Sequence, residues 1–392
     1  MDTYHTCERP VCGHSLLYSA YSYLIKYKDC FYLIIFLLLC KMNKIIVTGG
    51  CGYIGAHTIV DLIESGFQPI CIDNNSRSNT ALLTGVKNIT GVTVKNYKVD
   101  LNNFDETCAV FQENPDVKGI IHFAAYKAVG ESVEKPLMYF ENNLFSLLNI
   151  LKCAKEFNVP NFIFSSSCTV YGSPDKIPVT EESPTKPAES PYGATKQMGE
   201  EIVRDVTKTG GLKSILLRYF NPVGAHPTTL IGELPLGKPE NLVPAITQTA
   251  IGKINQLTVY GDDYPTRDGS CIRDFVHVCD IARAHTLALQ QLIENKNVPD
   301  CQVYNLGTGN GVSVLEAIHS FEKVSGKKLN YKIGARRPGD IMAIYANNSY
   351  AKEKLNWKPK YSLDEMMLTA WEWELKLQDD ASLHNNPNFQ MN

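Results

Sequence analysis

The chain has 392 residues, of which 44% are hydrophobic and 20% are charged, with a formal net charge of −3 at pH 7. This length and apolar content predict one large or two modest globular domains with a real hydrophobic core. The slightly acidic balance argues against nucleic acid or an anionic membrane surface as a partner. The 12 cysteines follow no paired spacing, so we expect reduced, buried thiols and a reducing, cytoplasmic compartment.

Residues 1–41 differ in character from the rest of the chain. Their apolar run Cys30–Cys40 (CFYLIIFLLLC) has 11 residues, whereas a membrane-spanning helix needs about 20. The run has signal-peptide proportions, but no small-residue cleavage site follows it. The sequence therefore favours Met42 as the natural start, with residues 1–41 outside the fold, over an N-terminal membrane anchor. No metal site is expected, and the residues that could be drawn as one are His5, Cys7, Cys12 and His14.

The first predicted element after Met42 is the buried strand Lys44–Thr48 (KIIVT). It leads into a turn with Gly49, Gly52 and Gly55, and then into a helix with apolar residues at helical spacing. Glycines permit a tight turn and the close approach of a pyrophosphate, and the helix N-terminus offers free N–H groups to that anion. This context predicts a dinucleotide-binding loop, with a purely structural glycine turn as the alternative.

The second predicted strand, Pro69–Ile72, ends at Asp73, which lies 18 residues beyond Gly55. An acidic side chain about 20 residues after the glycine loop binds the adenosine ribose hydroxyls and favours NAD over NADP. Asn74 adds hydrogen-bonding capacity beside it. Arg77 leaves some room for a 2′-phosphate, but no arginine directly adjoins Asp73, and NAD is the predicted cofactor.

Strands and helices continue to alternate along the chain. Further strands are predicted at Val92–Val99, Gly119–Phe123, Asn161–Ser166 and Ser214–Tyr219. This alternation predicts an α/β fold with a parallel, doubly wound sheet of the Rossmann type. Ligands of such sheets bind at the carboxyl ends of the strands, where polar and small residues gather in this sequence.

The segment Ser190–Lys196 (SPYGATK) places Tyr192 and Lys196 four residues apart, on one face of a predicted helix. The pKa of a free tyrosine is about 10, and a neighbouring ammonium lowers this pKa by favouring the phenolate. The pair therefore has the chemistry of a general base. Alone it is weak evidence, because a chain with 20 tyrosines can contain such a pair on an ordinary solvated helix.

Nine motifs together carry a family resemblance. They are TGGCGYIG (48–55), KAVGESV (127–133), FSSSCTVYG (164–172), SPYGATK (190–196), RYFNPVGAHP (218–227), DYPTRDG (263–269), RDFVHV (273–278), YNLGTG (304–309) and RRPGD (336–340). In this combination the chain resembles the UDP-glucose 4-epimerases, which are extended short-chain dehydrogenases/reductases, from about Lys44 to Trp373. The first and fourth motifs are shared with many relatives, whereas RYFNPVGAHP, DYPTRDG and RRPGD are much narrower.

The resemblance implies which residues form the site. The catalytic positions are Ser167, Tyr192 and Lys196. The positions that contact NAD are Gly49, Gly52, Tyr53, Ile54, Gly55, Asp73, Asn74, Asp100, Leu101, Phe123, Ala124, Lys127, Asn142, Tyr192 and Lys196. The positions that hold the UDP-sugar are Ser167, Asn221, Asn241, Tyr260 (beside the uracil), Arg273, Arg337 and Asp340. Each polar residue alone is ordinary, and the inference rests on the set.

The resemblance also implies an isomerase that inverts C4 of a hexose linked to UDP. Tyr192, as the phenolate, takes the 4-hydroxyl proton while the C4 hydride passes to NAD, and Ser167 hydrogen-bonds the sugar oxygen. Lys196 lowers the pKa of Tyr192 and binds the nicotinamide ribose. The 4-keto sugar then presents its other face and takes the hydride back, so NAD is regenerated and stays bound.

Competing activities on this fold can be weighed from the same residues. Nucleotide-sugar 4,6-dehydratases carry an Asp-Glu pair directly after the position of Ser167, where this chain has Cys168 and Thr169, so dehydration is not favoured. A UDP-hexuronate 4-epimerase would need an extra cation for the C6 carboxylate and stays open. A non-catalytic NAD-binding sensor would lack Tyr192, Lys196 or Ser167, all of which are present.

Ile344 bears on the choice of sugar. It lies four residues after Asp340, where several bacterial relatives have a tyrosine that restricts the sugar pocket. Its intermediate size predicts some tolerance of N-acetyl sugars, so UDP-N-acetylglucosamine or another UDP-hexose is an alternative substrate. Galactose use and envelope-sugar synthesis require the same chemistry, and the sequence does not separate them.

The predicted organisation is an NAD-binding domain over residues 42–222 and a smaller C-terminal α/β domain, for the UDP-sugar, over residues 223–380. We expect the active site between them and chain segments that cross from one to the other. The three tryptophans, Trp357, Trp371 and Trp373, are predicted to pack in the C-terminal domain. A homodimer is expected from the family resemblance, without a nucleic-acid partner.

Overall fold

The structure is a computed structural model that describes residues 42–235, 237, 239–294, 299–337 and 340–379. The apolar run 30–40 and the cluster of His5, Cys7, Cys12 and His14, which the sequence analysis considered, lie outside these residues. The strands in chain order are β1 (Lys44–Thr48), β2 (Gln68–Ile72), β3 (Asn96–Tyr97), β4 (Val117–His122), β5 (Asn161–Ser167), β6 (Lys213–Tyr219), β7 (Asn221–Val223), β8 (Leu257–Tyr260), β9 (Ile272–Arg273), β10 (Phe275–His277), β11 (Cys301–Leu306), β12 (Val312–Ser313) and β13 (Tyr331–Gly334).

Helices connect most of these strands. In chain order they are α1 (Tyr53–Glu64), α2 (Ala81–Thr90), α3 (Phe104–Glu113), α4 (Val129–Glu134), α5 (Pro136–Glu156), α6 (Pro191–Lys208), α7 (Leu242–Ala250), α8 (Val278–Ile293), α9 (Val314–Ser325), α10 (Ser349–Lys354) and α11 (Leu363–Asp379), and a 3-10 helix covers Cys168–Tyr171. Their ends follow local sequence rules. Ser313 caps α9 in a reciprocal capping box with Glu316, and Gly326 ends that helix in the left-handed conformation.

A seven-stranded sheet organises the fold. Its spatial order is β3-β2-β1-β4-β5-β6-β11, and every neighbouring pair is parallel. This is the doubly wound order of a Rossmann-type α/β fold, extended by one strand, as the sequence predicted. The order reverses between β1 and β4, so the carboxyl ends of these two strands border the crevice in which such sheets bind ligands.

One predicted strand is too long. The sequence predicted a strand over Val92–Val99, and the structure has only the two residues of β3, which pair with Cys71 and Ile72. β3 is the edge of the sheet and has a partner on one side only. Exposed Thr93, Lys95 and Lys98 flank it, so little apolar burial is available to extend the pairing.

Alternate residues of the central strands enter different hydrophobic clusters. Ile45 and Val47 of β1 pack in one cluster with residues of α1 and α8, whereas Ile46 packs in another with residues of α3, α5 and α6. Neighbouring residues of a strand point to opposite faces. Because both faces of the sheet are covered, the strands read as continuous apolar runs in the sequence rather than as alternating ones.

A third hydrophobic cluster lies in the C-terminal part of the chain. It includes Val223, Val259, Phe275, Phe321 and Trp371, on or beside helices α7, α9 and α11 and the two-stranded sheets β7–β10, β8–β13 and β9–β12. The chain after residue 222 also returns to the large sheet, because β11 pairs with β6 and α8 packs on α1. The division at residue 222 therefore stays a prediction, with segments that interleave across it.

Several side-chain predictions can be compared with the structure directly. Trp357, Trp371 and Trp373 have exposed fractions of 1%, 7% and 3%, which confirms their packing role. The cysteines of the described chain are free, and all are buried except Cys279 and Cys301, which are half-buried. Within the described residues, no helix combines the length and apolar character that crossing a bilayer requires.

Candidate active site

The glycine turn after β1 is closely packed backbone. Gly49 has φ +69°, and its N–H donates to the carbonyl of Ile72 at 2.8 Å. A Cβ at Gly55 would lie 2.3 Å from the carbonyl oxygen of Gly49, and one at Gly49 would lie 2.9 Å from the backbone nitrogen of Ala124. Such distances exclude any side chain at these two positions unless the turn moves.

Helix α1 leaves its N-terminus open toward this turn. Gly52 is the N-cap, and within the described chain no side chain caps the helix and no acidic residue lies in its first turn. The first N–H groups of a helix lack intrahelical partners and carry a partial positive charge. Tyr53 and Ile54 supply the backbone of that turn, while the phenol of Tyr53 donates away from it to the carbonyl of Gly224 at 2.5 Å. The loop and the helix therefore form a cradle that fits a pyrophosphate.

Asp73 lies beside this cradle at the end of β2. Its Oδ2 accepts from Cys51 N–H at 3.0 Å, and its Oδ1 accepts from Asn75 N–H at 2.9 Å and from Ser78 Oγ at 2.7 Å. Burial raises the pKa of Asp73, and the hydrogen bonds from Ser78 and the two amides oppose that rise. Asp73 thus ties β2 to the glycine turn and places a carboxylate where ribose hydroxyls would be bound.

Arg77 pairs with Glu131 and not with Asp73. Its guanidinium donates to both oxygens of Glu131, at 2.5 and 3.0 Å, and lies 4.1 Å from the ring centroid of Tyr126. A guanidinium held in such a bidentate pair is not free to receive a 2′-phosphate. The structure therefore supports the preference for NAD that the sequence left slightly open.

The other predicted NAD contacts lie around the crevice. Ala124 N–H donates to Thr48 Oγ1 at 3.2 Å, which holds the end of β4 against the end of β1. Leu101 is buried and its carbonyl accepts from Asn149. Three polar residues next to these stay at least partly exposed, and they are Asn74 (its Oδ1 accepts from Ser76 N–H), Asp100 (accepting from Asn102 N–H) and Asn142 (accepting from Asn102 Nδ2). The ring of half-buried Phe123 packs against His285.

Two residues predicted for different ligands share one carboxylate. Lys127, predicted at NAD, and Asn241, predicted at the UDP-sugar, both donate to Glu233 Oε1, at 2.8 and 2.9 Å. The backbone carbonyl of Glu233 accepts from the indole N–H of Trp373 at 2.7 Å. Glu233 was not among the predicted site residues, because it lies in a loop without a motif that marks its partners.

The predicted catalytic helix begins as its sequence suggests. Ser190 is the N-cap of α6 and accepts from Gly193 N–H at 3.1 Å, and Pro191 occupies the first turn. Tyr192 and Lys196 are more than nine-tenths buried, as is Ser167 at the end of β5, on which α6 packs. Lys196 Nζ donates to the carbonyl of Ser165 at 2.7 Å and lies 5.9 Å from the Tyr192 ring centroid.

Burial dominates the proton affinities of this pair. It raises the pKa of Tyr192 well above the usual tyrosine value, the nearby Tyr219 adds to the rise, and a hydrogen bond with Ser167 opposes it. Burial also lowers the pKa of Lys196 to about 8. The net pKa of Tyr192 is therefore raised and not lowered, because burial is the largest influence on it, and the lowering contributed by Lys196 stays a prediction.

Four of the residues predicted to hold the UDP-sugar lie together. Asp340 Oδ1 is 2.8 Å from Arg337 Nη2 and 3.5 Å from Arg273 Nη2. The guanidinium of Arg337 lies 5.5 Å from the ring centroid of Tyr260, and that ring is 43% exposed. Two arginines around one carboxylate leave a net positive charge suited to a diphosphate, and the exposed ring offers a face to a base.

Two buried polar atoms near the catalytic residues lack hydrogen-bond partners. Within the described chain, neither Asn221 Nδ2 nor Thr169 Oγ1 has one. Leaving buried polar groups unpaired is costly, so both are candidates to bind a ligand. Asn221 was predicted for the UDP-sugar. Thr169 was not assigned a ligand, and its place two residues after Ser167 in the FSSSCTVYG motif is the signal that could have found it.

Comparisons with known proteins agree with this geometry. A family model described as GDP-mannose 4,6 dehydratase matches residues 46–369. The chain is 47% identical to UDP-glucose 4-epimerase 2 of Arabidopsis thaliana over 335 residues, which is 84% of this chain and 95% of that protein.

The chain is also similar to two crystal structures of UDP-glucose 4-epimerases. That from Stenotrophomonas maltophila, with bound NAD and formylated UDP-arabinopyranose, has a TM-score of 0.83 at 41% identity and covers 86% of this chain and 99% of that one. That from Bifidobacterium longum, in complex with NAD+ and UDP, has a TM-score of 0.81 at 44% identity and covers 89% of this chain and all of that one.

Proposed function

The chain belongs to the UDP-glucose 4-epimerase family, and we propose that it interconverts UDP-galactose and UDP-glucose through a 4-keto sugar with tightly bound NAD. The observation that carries the proposal is the buried pair of Tyr192 and Lys196 on α6, packed against the strand that ends in Ser167. The activity is that of an isomerase, because substrate and product differ only in the configuration of one carbon.

The residues of the cradle fit NAD. The open N-terminus of α1 and the glycine turn would hold the pyrophosphate, Asp73 would hold the adenosine ribose, and Lys196 would hold the nicotinamide ribose. When bound, NAD supplies a hydride acceptor and a positively charged ring near Tyr192. Since that positive charge favours a phenolate, it would oppose the effect of burial on the pKa of Tyr192.

The proton and the sugar are handled by side chains of this chain. Tyr192 accepts the proton of the 4-hydroxyl at its phenolate oxygen, and Lys196, as a buried ammonium, stabilises the phenolate that precedes this transfer. Ser167 holds the sugar oxygen through its hydroxyl. Arg273 and Arg337 hold the diphosphate through fixed charges, so the hexose itself can turn between the two hydride transfers.

Dehydration is a poorer fit, although the matching family model is named for a dehydratase. That chemistry needs a carboxyl group directly after the position of Ser167 to remove water. Here burial raises the pKa of the Cys168 thiol to about 12, so it is neutral, and Thr169 carries a hydroxyl. Neither side chain can act as an acid–base carboxylate.

An epimerase for UDP-N-acetylglucosamine is the second candidate. Ile344 favours this activity, because an isoleucine leaves more space in the sugar pocket than the tyrosine that several bacterial relatives have at the same position. Ile344 is 4% exposed and packs in the same hydrophobic cluster as Cys168, the residue next to Ser167. We further propose that the protein is cytoplasmic, which the free thiols support. We also propose that it forms a homodimer, which the family resemblance supports.

The test is to purify the chain from Met42 and to incubate it with UDP-galactose without added NAD. We expect UDP-glucose to form, and Tyr192→Phe to lower the rate by at least about 100-fold, since a positioned general base contributes about 10²–10⁴. Tyr304→Phe is the matched control, because Tyr304 is a fully buried tyrosine on the outer strand β11.

If no UDP-galactose is converted even with NAD supplied, the substrate is wrong, and N-acetylated and uronic UDP-sugars are tried in turn. Failure of all of them, in a protein that still binds NAD, would favour the non-catalytic sensor. Equal activity of the Tyr192→Phe variant would remove Tyr192 from the mechanism.

A further inference from the structure

Helix α6 carries a third charged residue on the face that bears the catalytic pair. Glu200 follows Lys196 by four residues, as Lys196 follows Tyr192, so the three side chains lie in one row along the helix. Only 4% of Glu200 is exposed, although it is a charged residue near the middle of the helix. Buried carboxylates are rare unless they are paired, so its contacts require a reason.

The row on α6 faces three consecutive serines of β5. Lys196 Nζ donates to the carbonyl of Ser165 at 2.7 Å, and Ser166 Oγ donates to Glu200 Oε1 at 2.6 Å. The third serine, Ser167, opposes the rise in the pKa of Tyr192 that burial causes. The strand that ends in the catalytic serine is thus hydrogen-bonded to the catalytic helix at two successive residues, and Glu200 makes one of these two contacts.

Glu200 also joins α6 to the next strand, β6. Arg218 forms a bidentate ion pair with Glu200, in which Nε donates to Oε1 at 2.8 Å and Nη2 donates to Oε2 at 2.6 Å. The side chains of Arg218 and Glu200 are 4% and 5% exposed. Arg204 adds a contact with Oε2 at 3.2 Å from a half-exposed position. A buried ion pair of this kind is weak evidence for stability, because desolvation offsets the attraction between the charges.

We propose that Glu200 is a positioning residue for the epimerase reaction, which anchors the catalytic helix to β5 and β6 and keeps Lys196 in its charged form. The proposal rests on the proposed function. Glu200 acts on Lys196 through space, because its own carboxylate is engaged by Ser166 and Arg218 while Lys196 binds the Ser165 carbonyl.

Electrostatics support this role. Burial lowers the pKa of Lys196 to about 8, and the charge of Glu200 is the influence that raises it. Bonds from Arg218 keep Glu200 ionised by lowering its pKa against the effect of burial. The other titratable or charged groups around the row are His122 on β4, Tyr139 on α5, Cys168 and Tyr171 on the 3-10 helix, Arg204 on α6, and Arg218 and Tyr219 on β6.

The sign of the effect follows from these charges. Lys196 is an ammonium below its pKa and loses its charge as the pH rises, so epimerisation should fall on the alkaline side near pH 8. In Glu200→Gln the anion is lost and Arg218 is left unpaired, and both changes disfavour the ammonium. In Arg218→Met the main group that keeps Glu200 ionised is lost, so the carboxyl is neutral over more of the pH range and the Lys196 ammonium is again disfavoured.

The experiment measures the pH dependence of kcat/KM for UDP-galactose in the wild type and the two variants. We expect the alkaline limb of the pH profile to move to lower pH by about one unit in Glu200→Gln, and to move to lower pH in Arg218→Met as well. The pKa of Lys196 is read independently from 15Nζ NMR of lysine-labelled protein as purified, with Lys196→Arg to assign its signal. This readout does not depend on turnover.

Glu374→Gln is the matched control. Glu374 is also a buried carboxylate with a hydroxyl and a cation as partners, Thr247 and Lys253, and it lies on α11 and not on the catalytic helix. The Glu374→Gln variant should leave both the alkaline limb of the pH profile and the NMR signal of Lys196 unchanged.

A purely structural Glu200 would lower activity at all pH values without moving the limb or the NMR pKa, and that result overturns the proposal. Both variants are expected to shift the limb to lower pH, so one remains informative if the other fails to fold. An inactive wild type whose Lys196 pKa still responds to Glu200→Gln would refute the proposed function and leave the electrostatic coupling standing.

Discussion

The nucleotide end and the UDP-sugar end of the site are built from different chemical groups. At the nucleotide end, the groups that would contact the ligand are backbone amides and one buried carboxylate, packed so closely that a Cβ on Gly55 would meet a carbonyl at 2.3 Å. At the UDP-sugar end they are long side chains near solvent, with Tyr260 43% exposed and the Arg337 side chain 54% exposed.

This difference matches what each ligand has to do. A cofactor that is regenerated in every cycle gains from a rigid, preformed cradle, because little conformational entropy is lost when it binds. A substrate that must enter and leave gains from side chains whose charges are screened and whose conformations adapt. We therefore expect substitutions at the nucleotide end to act in an all-or-none manner and those at the other end to be graded.

The largest effect is expected for Gly55→Ala. The added methyl group must displace the Gly49 carbonyl, and such overpacking costs about 1–3 kcal/mol, mostly by opening the turn that holds the pyrophosphate. The NAD content of the purified protein should fall at least about tenfold, and activity should fall with it. NAD content is measured from absorbance after the protein is denatured.

Gly130→Ala is the control for this change. Gly130 lies in α4, and the nearest atom to its added Cβ would be Glu240 Oε1 at 3.8 Å, an ordinary contact. If both alanine variants keep their NAD, the turn is more compliant than its packing indicates, and the contrast between the two ends fails.

A graded effect is expected for Arg337→Met. Loss of one charge-assisted contact with the diphosphate should raise the KM for UDP-galactose about tenfold, or about 1.4 kcal/mol, while NAD content stays constant. The neighbouring Arg336→Met is the control, because Arg336 is engaged with Asp263 and Tyr264. A similar rise in both variants would show that general positive charge, and not this guanidinium, holds the substrate.

The smallest effect concerns the sugar, which lies between the two ends. If Ile344 leaves the pocket partly open, UDP-N-acetylglucosamine should be epimerised, with kcat/KM lower than for UDP-galactose by about tenfold, the scale on which a pocket discriminates by size alone. Product is measured by chromatography of the two epimers. Complete absence of turnover would contradict the size argument.

Local features of the site were readable from the sequence. The strand–glycine–helix order predicts the cradle, because only glycine satisfies the positive φ at Gly49 and the close packing at Gly49 and Gly55. Ser190 and Pro191 predict the start of α6, because hydroxyl caps and an N1 proline are dictated by the helix end itself. These effects act over one or two turns of chain.

The tertiary structure decided the features that depend on distant partners. Residues that are 106 or more positions apart in the sequence can form hydrogen bonds only after folding, and examples are Tyr53 with Gly224 and Glu233 with both Lys127 and Trp373. The same holds for β11, which joins the large sheet after a long excursion of the chain.

The proton affinities depend on the fold most of all. The Tyr192–Lys196 spacing is a property of the sequence, and it predicts a lowered tyrosine pKa, but folding removes water from both groups and raises the pKa of Tyr192 instead. Glu200 and Arg218, 18 residues apart, form their ion pair only when β6 packs against α6, and this pair keeps ionised the carboxylate that raises the pKa of Lys196. Sequence by itself determines which charges are available and their local spacing. The tertiary structure determines their strength, because that strength depends on desolvation and on partners brought from elsewhere in the chain.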